Sequence, residues 1–417
     1  MRLGAKPAAV VVGLDCITGL QAARILSRHG VPVVGVARDP GHFCCRTRAC
    51  ERVVVADTKS EALVAALEAL GPALGQRSVL VPCTDMSVLV ISRHRRRLRD
   101  WYRIGLPAED VVETLIDKVA FSRYAAEAGL PIPETFFLED RGDAERAAGR
   151  LRYPAILKPP VKTAAWERGT RKKVFKVGSP GDFLACYDRC SGWADRLMAQ
   201  EWVEGGDDSL YSCNCYFDAD SRPLVTFVAR KIRQWPPETG TSCLGEEVRN
   251  SEVLEASVAL FRGLCYHGLG YVEMKRDQRT GKHYIIEPNI GRPTGRSAIA
   301  ENGGVELLHT MYCDLAGAPL PRNREQRYRG AKWIYLRHDL QSAFHYWKGG
   351  TLSAGEWLRS LRGVRHDAVL SWSDPGPGLL DLRNSLLAAL GRGGRKAPRE
   401  QPLPAPAEQS LSRQGSG

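Results

Sequence analysis

Two acidic side chains in the segment GYVEMKRDQRTGKHYIIEPNIGR could hold a divalent metal ion between them. Strand-like runs flank the turn QRTGK, so the segment predicts a β-hairpin. If the hairpin is symmetric about Thr280, Glu273 lies opposite Glu287, and Asn289 points to the same side as Glu287. Facing carboxylates repel each other unless a cation lies between them, and Mg²⁺ prefers such oxygen ligands. The pattern predicts a Mg²⁺ site, whereas a shifted register would make the same glutamates ordinary surface residues.

Several cationic side chains stand where they could contact phosphate oxygens. Lys158 ends the strand-like run YPAILKP, and Lys118 stands near the start of a predicted helix. Arg292 follows soon after Asn289 and could stabilise a developing phosphoryl or carboxylate charge. Because a lone lysine in such a place more often faces solvent, the argument depends on the order of these signals along one continuous domain.

The segment QEWVEGGDD is suited to nucleotide recognition. A strand meets a flexible Gly-Gly break there, which exposes backbone donors and acceptors that could bind an adenine base. Asp207 or Asp208, just beyond the break, could accept hydrogen bonds from ribose hydroxyls.

The composition is that of a folded protein with more than one domain. The chain has 417 residues, of which 43% are hydrophobic and 25% are charged, so two or three domains are expected. Its 12 cysteines are scattered through strand-like and helix-like runs without a CxxC pair. This placement favours reduced core thiols over disulfides or structural zinc.

The net charge of +12 comes partly from the run RHRRRLR at residues 93–99 and partly from an Arg-rich tail. It indicates either a solvated helix face with a disordered end or attraction of an anionic substrate such as a nucleotide. No aromatic residues interleave a basic stripe, so we expect no nucleic-acid partner.

No apolar run is long enough to cross a bilayer, and the N-terminal segment fits a buried strand better than a secretion signal. We therefore expect a cytoplasmic protein without integral membrane contact.

Short apolar runs alternate with helical patterns over the first part of the chain. The runs AAVVVGL, VPVVGVA, RVVVA and SVLVPCT are predicted as buried strands, which indicates an α/β domain with a Rossmann-like parallel sheet. The first turn, GLDCITG, is neither GxGxxG nor a P-loop, so no nucleotide site is predicted there. A second unit begins near Asp117 with a helix that ends at Gly129, followed by Pro131 and Pro133.

In the order of these motifs the sequence resembles the ATP-grasp superfamily, and within it the carboxylate–amine ligases. The resemblance runs from about residue 8 to residue 310 and rests on DK at 117–118, ILKP, QEWVEGGDD, VEMKRD and IIEPNIGRPTG. It implies a Rossmann-like domain (1–112) and a two-lobed ATP-grasp domain of α+β architecture. The predicted ranges are a small lobe or lid (113–198), a large lobe with the metal site (199–330), a small C-terminal region (331–375) and a mostly disordered tail (376–417).

The resemblance also implies roles for individual residues. The nucleotide contacts would be Lys118 and Lys158 on the phosphates, the backbone of Glu201, Trp202 and Val203 on adenine, and Asp207 or Asp208 on ribose. The ligands of Mg²⁺, with Mn²⁺ as a substitute, would be Glu273, Glu287 and Asn289. The residues acting on the substrate would be Arg292, Lys231 and Arg233. The sequence departs from the family in the loop after Lys158, which is often glycine-rich but here has only Gly169, and in the first metal ligand, which is glutamate rather than aspartate.

The reaction implied is ATP-dependent ligation of a carboxylate to an amine. The substrate carboxylate would attack the γ-phosphate of ATP, and an amine would then displace phosphate from the acylphosphate to form an amide. The expected partners are a small-molecule acid and amine, and a homodimer stays open. Alternatives are ATP-dependent carboxylation or phosphotransfer, and a nucleotide-binding module without turnover. A biotin carrier segment and a GxGxxG fingerprint are both missing from the sequence, which counts against a carboxylase and against a dinucleotide oxidoreductase.

Overall fold

The computed structural model describes residues 6–160, 164–170, 172, 174–237 and 240–389. The described residues form two compact units, one made of residues 6–133 and 203–389 and the other of residues 134–202. The strands of the first unit form two sheets, and those of the second form one. In this described part of the chain no helix has the length and apolar character needed to span a membrane.

The predicted Rossmann-like sheet is present at the start of the first unit. Its strands are parallel throughout and lie in the order β3-β2-β1-β4-β5. The central strands are buried runs of valine and alanine, as a parallel sheet with both faces covered requires. The elements are β1 (Ala9–Val12), α1 (Ile17–Arg28), β2 (Val33–Ala37), β3 (Arg52–Val55), α2 (Glu61–Leu70), β4 (Ser78–Pro82), α3 (Asp85–Arg93), α4 (Arg95–Leu98), β5 (Tyr102–Ile104) and α5 (Glu109–Ile116).

The next helix, α6 (Lys118–Glu127), begins at a well-defined cap. The side chain of Asp117 accepts hydrogen bonds from the N–H groups of Val119 and Ala120, both at 2.8 Å. The chain leaves the helix at Gly129, whose φ of 65° lies in the left-handed region. This cap fixes Lys118 as the first residue of the helix.

The second unit contains a sheet in the order β6-β9-β7-β8, with antiparallel neighbours throughout. Its apolar core includes the buried side chains of Phe183, Leu157 and Ala147. Helix α9 begins at a capped position, because the side chain of Ser179 accepts a hydrogen bond from the N–H of Asp182. The elements are β6 (Thr135–Leu138), α7 (Arg141–Arg150), β7 (Ala155–Lys158), α8 (Ala164–Gly169), β8 (Phe175–Val177), α9 (Pro180–Cys190) and β9 (Leu197–Glu201).

The glycine-poor loop after Lys158 contains a packed helix, α8, in its described part. The fully buried Trp166 on this helix donates from its indole N–H to the carbonyl of Lys172 at 3.0 Å. A Cβ at Gly169 would lie 2.5 Å from the Trp193 ring, so glycine serves close packing here. Residues 161–163, 171 and 173 of this segment lie outside the described residues.

The large sheet of the first unit has the order β14-β13-β10-β11-β12-β15-β16. Neighbouring strands are antiparallel except β15 and β16, which are parallel. The elements are β10 (Leu210–Phe217), β11 (Pro223–Trp235), β12 (Thr241–Glu247), α10 (Ser251–Arg262), β13 (Gly268–Arg276), β14 (His283–Ile290), α11 (Ala298–Asn302), α12 (Leu307–Ala316), β15 (Lys332–Ile334), α13 (Leu336–Lys348), α14 (Ala354–Ser360), β16 (Val364–Asp367) and α15 (Gly376–Ala389).

The C-terminal segments continue this architecture. The predicted small region at 331–375 contributes β15, which pairs with β12, so that the region extends the large sheet. The range 376–417, predicted to be mostly disordered, begins with α15. Residues 390–417 lie outside the described residues.

Alternate side chains of the large sheet point to opposite faces. Cys213, Val272 and Met274 pack in an apolar core with Phe261 of α10, so the intervening Glu273 points to the other face. The prediction of reduced core thiols is confirmed, since all 12 cysteines are free and most are buried.

The turn after β14 depends on a glycine. Gly291 has a φ of 67°, and a Cβ there would lie 2.3 Å from Cδ2 of Leu106. Its N–H donates to the carbonyl of Leu269 at 2.7 Å. The absence of a side chain therefore permits both the turn and the close packing of the chain that follows the hairpin.

We expect Gly291→Ala to destabilise the protein more than Gly129→Ala. Both positions have a left-handed backbone, which costs a side chain about 1–2 kcal/mol, but a Cβ at Gly129 meets no atom within 4 Å. The overlap at Gly291 should add roughly 1–3 kcal/mol. Thermal unfolding midpoints of the two variants measure the difference, and equal losses would show that the turn tolerates a side chain.

Candidate metal and nucleotide site

The hairpin of β13 and β14 places Glu273 directly opposite Glu287. Pairing follows the symmetric register from Gly270 and Ile290 up to this pair, and an irregularity after Glu273 then shifts it. Opposed residues of an antiparallel pair have their Cβ atoms about 4.5–5.5 Å apart. The predicted register is thus confirmed at the two carboxylates.

The carboxylate of Glu273 is held by cationic and hydroxyl donors. Arg296 donates to its Oε2 at 3.0 Å and the Tyr271 hydroxyl at 3.3 Å, while Lys231 Nζ lies 3.7 Å away. Lys231 and Arg296 are only 3% and 4% exposed. Burial lowers the pKa of the Lys231 amine, and the negative charge of Glu273 acts in the opposite direction. Within the described residues, the hydrogen bonds to Glu273 fall on Oε2, which leaves Oε1 available to a metal ion.

The carboxylate of Glu287 reaches solvent but lies in a crowded electrostatic environment. Desolvation raises its pKa, as do the negative charges of Glu273 and Asp85, whereas Lys118 and Arg292 lower it. A divalent cation between the two glutamates would remove this repulsion. The donor set, two carboxylates and the amide oxygen of the neighbouring Asn289, is the oxygen chemistry that Mg²⁺ prefers, so the residues fit such an ion.

Arg292 is fixed by the acidic residue that begins helix α3. Its guanidinium makes two hydrogen bonds to Asp85 at 2.6 and 3.1 Å, and its Nη2 also donates to Oδ1 of Asn289 at 2.6 Å. Arg292 therefore orients the amide that was predicted to bind metal. Asp85 could not be recognised from the sequence, because it is far from the ATP-grasp motifs and only its contact with Arg292 reveals it.

Asp207, a predicted ribose ligand, is buried and accepts several hydrogen bonds. Its carboxylate accepts hydrogen bonds from the backbone and side chain of Gln234, at 3.2 and 2.6 Å, and from the Tyr346 hydroxyl at 2.6 Å. Gln234 in turn accepts a hydrogen bond from Lys231 at 2.9 Å. Because Asp207 already has these partners, the exposed neighbour Asp208 is the better candidate for a ribose contact.

Lys231 and Arg233, which were predicted to act on the substrate, both lie on β11 but have different surroundings. Lys231 contacts Glu273, whereas Arg233 makes two hydrogen bonds to the fully buried Asp339, at 2.8 and 3.0 Å. Arg233 also donates to Ser360 at 2.9 Å. The structure thus brings Lys231 to the carboxylate pair and joins Arg233 to helices α13 and α14.

The second unit carries the remaining predicted nucleotide contacts. Lys158 ends β7 and lies 3.4 Å from the side-chain oxygen of Gln200. The Glu201 carboxylate accepts two hydrogen bonds from Arg152, at 2.8 and 3.2 Å, so only its backbone suits a base contact. The N–H of Trp202 donates to the carbonyl of Pro154 at 3.0 Å. Val203, where the first unit resumes, is buried.

Curated relatives of this chain are ligases. A D-aspartate ligase from Enterococcus faecium is 23% identical over 238 residues, which cover 55% of this chain and 56% of the relative. D-alanine–D-alanine ligases, such as one from Chromobacterium violaceum, are 22–24% identical over shorter stretches. The chain spans little more than half the length of the first of these relatives, and no family model matches it.

Solved structures share the fold of the chain. The N5-carboxyaminoimidazole synthetase of Staphylococcus aureus superposes with a TM-score of 0.61 at 15% identity, over 80% of this chain and 82% of that one. The biotin carboxylase domain of the Hydrogenobacter thermophilus 2-oxoglutarate carboxylase, solved with MgADP, has a TM-score of 0.59 at 15% identity, over 78% and 73%. The chain therefore has the ATP-grasp fold, as the resemblance of its sequence implied.

We expect the pair of Arg233 and Asp339 to act as a structural unit. Asp339→Ala leaves a buried guanidinium unpaired and should cost about 3–5 kcal/mol, whereas Arg233→Met combined with Asp339→Leu should cost much less. Glu113→Ala, which removes the exposed partner of Arg93, is the control and should leave the unfolding midpoint nearly unchanged. A folded double variant that loses all activity would instead give Arg233 a role in the reaction.

We expect Glu287→Gln to stabilise the metal-free protein at neutral pH. The raised pKa means that stability is lost as pH rises from the ordinary glutamate pKa through the raised one, because ionising Glu287 is disfavoured in the fold. Glutamine should remove this loss of folding stability. It should also remove the stabilisation that we expect Mg²⁺ and ADP to give the wild type. Unfolding midpoints with and without Mg²⁺ and ADP measure both effects, with the exposed Glu255→Gln as control. An equal gain from Mg²⁺ and ADP in Glu287→Gln would contradict the metal assignment.

Proposed function

We propose that this protein is an ATP-dependent carboxylate–amine ligase that forms an amide through an acylphosphate and releases ADP and phosphate. The observation that carries the proposal is the facing pair of Glu273 and Glu287, with Asn289 beside it and Lys118 close enough to act on the pKa of Glu287. The ligase activity of the curated relatives supports the same reaction class.

Glu273, Glu287 and Asn289 would hold Mg²⁺, or Mn²⁺ as a substitute. When bound, the ion neutralises charge on the phosphates of the nucleotide. Lys231 and Arg296 orient Glu273, and Arg292 orients Asn289, so these three cations are positioning residues. Similar structures solved with ADP and with MgADP support binding of this nucleotide.

The remaining nucleotide contacts are proposed residue by residue. Lys118 and Lys158 would contact phosphate oxygens, and the backbone of Glu201–Val203 would contact the base. Asp208, which is exposed next to the buried Asp207, would accept from the ribose hydroxyls. Fixed lysines of this kind stabilise the phosphoryl group that is transferred without forming covalent bonds to it.

The proposed reaction has two displacements. An oxygen of the substrate carboxylate attacks the γ-phosphorus of ATP, and the bond to the β-phosphate oxygen breaks to release ADP. The amine nitrogen then attacks the activated carbonyl carbon, phosphate leaves, and the nitrogen loses a proton to give the amide. The reaction requires that water be excluded from the acylphosphate, because water would otherwise hydrolyse it.

The names of the relatives make an amino acid the first candidate for the acid substrate, with D-aspartate foremost. We place this small-molecule reaction in the cytoplasm, without a nucleic-acid partner, and leave a homodimer as a second state to be measured.

We expect Mg²⁺-dependent ADP release only when a suitable acid is present. A screen of D- and L-amino acids paired with amines should yield an adduct whose mass is that of acid plus amine minus water. Glu287→Gln should abolish both ADP release and adduct formation, while Glu255→Gln retains them. Carboxylated product from bicarbonate, or phosphorylated substrate without an adduct, would assign one of the alternative ATP-grasp reactions. Tight nucleotide binding without turnover would assign the binding module.

A further inference from the structure

Exposed apolar side chains are concentrated in the C-terminal part of the described chain. Apart from Val55, Ile286, Leu320 and Tyr328, every exposed large hydrophobic side chain among the described residues lies between residues 340 and 387. Exposed apolar patches mark interaction sites on protein surfaces. The concentration therefore makes residues 340–387 a candidate contact surface.

Two helices of this region present apolar stripes to solvent. On α13, Leu340, Phe344 and Trp347 are all exposed and follow the spacing of one helix face. On α15, a second exposed stripe contains Leu379, Leu382 and Leu386. A helix that packs on its own domain through one face and keeps leucine or aromatic residues on the other is typical of surface-binding elements.

An open groove of about 810 Å³ lies beside α15. Its apolar lining includes Leu370, Trp372, Leu379 and Leu382, and the Trp372 side chain is 101% exposed. We call this feature the C-terminal groove. A tryptophan that extends fully from the surface next to a leucine-lined groove has the amphipathic character that favours the boundary between lipid headgroups and acyl chains.

Cations border the C-terminal groove. Arg28 and Arg365 both line it and are exposed. The pKa of the adjacent His366, which also lines the groove, is lowered by desolvation and then by the positive charges of Arg28 and Arg365. The groove thus combines an apolar lining with a positive rim.

The exposed charge of the whole region is strongly positive. Its acidic side chains are mostly internal: Asp339 pairs with Arg233, Asp374 with Arg24 and Asp381 with Arg337. Among described residues 340–387 the exposed carboxylate is Glu356, whereas the exposed cations are Lys348, Arg359, Arg362, Arg365 and Arg383. The partner must therefore offer apolar volume together with negative charge.

We propose that the C-terminal groove and the exposed faces of α13 and α15 dock on a lipid bilayer with anionic headgroups. Apolar side chains would enter the interface while the surrounding arginines and Lys348 contact headgroup phosphates. A second copy meeting this surface through a two-fold axis would bring the same cations together. The segment 390–417, with its run GRGGRKAPRE, is also basic. Charge complementarity therefore favours an anionic bilayer over either a second copy of the chain or the segment 390–417 as the partner of this surface. The proposal is independent of the proposed ligase activity.

Vesicle flotation of the full chain tests this proposal. We expect binding to phosphatidylcholine vesicles that contain phosphatidylglycerol, weaker binding as salt increases, and little binding to phosphatidylcholine alone. Trp372→Ala should weaken binding about tenfold, and Arg365→Glu about fivefold or more. The controls are Val55→Ser and Arg99→Glu, which change an exposed valine and an exposed arginine outside the region and should bind like the wild type.

Four results would overturn the proposal. Absence of binding to anionic vesicles excludes the bilayer, and equal weakening by Arg99→Glu assigns the effect to the run at 93–99. Loss of binding on removal of residues 390–417, with no effect of Trp372→Ala, assigns it to the basic tail. Light scattering gives the fourth test. If the wild type is a dimer that does not bind vesicles, and Trp372→Ala is a monomer, the groove binds a second copy of the chain. Unchanged unfolding midpoints of the exposed variants confirm that each compares folded protein.

Discussion

The close approach of two carboxylates on one hairpin is the constraint on which the proposed site depends. Glu273 and Glu287 face each other in an antiparallel pair, an arrangement that is unfavourable without positive charge nearby. The protein supplies that charge from several elements: Lys231 and Arg296 act on one carboxylate, and Lys118 and Arg292 on the other. A divalent ion would complete this balance, so the same geometry that strains the free protein prepares it for a metal.

Ion pairs with at least one largely buried partner connect the elements around this hairpin. Arg292 joins the turn after β14 to Asp85 on α3, and Arg233 joins β11 to Asp339 on α13. A buried charge without a partner is costly, so each pair resists separation of the elements that it links. These contacts link the N-terminal sheet, the large sheet and the C-terminal helices, although only the hairpin carries the proposed metal ligands.

The ATP-grasp fold by itself does not determine the reaction. Structures with similar folds include a synthetase and a carboxylase domain, whereas the curated relatives are ligases of D-amino acids. The reaction class must therefore be argued from the side chains in the site. Here the facing pair of Glu273 and Glu287 is the basis of the proposed ligation, and the exposed cationic and apolar side chains of residues 340–387 are the basis of the proposed lipid binding, which the fold does not imply.

Features that depend on alternating side chains or on a local helix cap could be predicted from the amino-acid sequence. Valine-rich runs gave the parallel sheet, Asp117 and Gly129 bounded α6, and the symmetry of the segment around Thr280 predicted the pairing of Glu273 with Glu287. These features follow from neighbouring residues, because alternation of side chains and helix capping act over a few positions. The order of the motifs was also sufficient to indicate the fold.

The pairing of charged residues with their partners could not be predicted in this way, because it depends on how distant elements pack. Asp207 was predicted to bind ribose, but it accepts hydrogen bonds from Gln234 and Tyr346. Arg233 was predicted near the substrate, but it pairs with Asp339. These partners are distant in sequence, and no local pattern relates them. Their pairing results from packing of whole elements, because a charge that becomes buried takes the nearest complementary group wherever the chain supplies it.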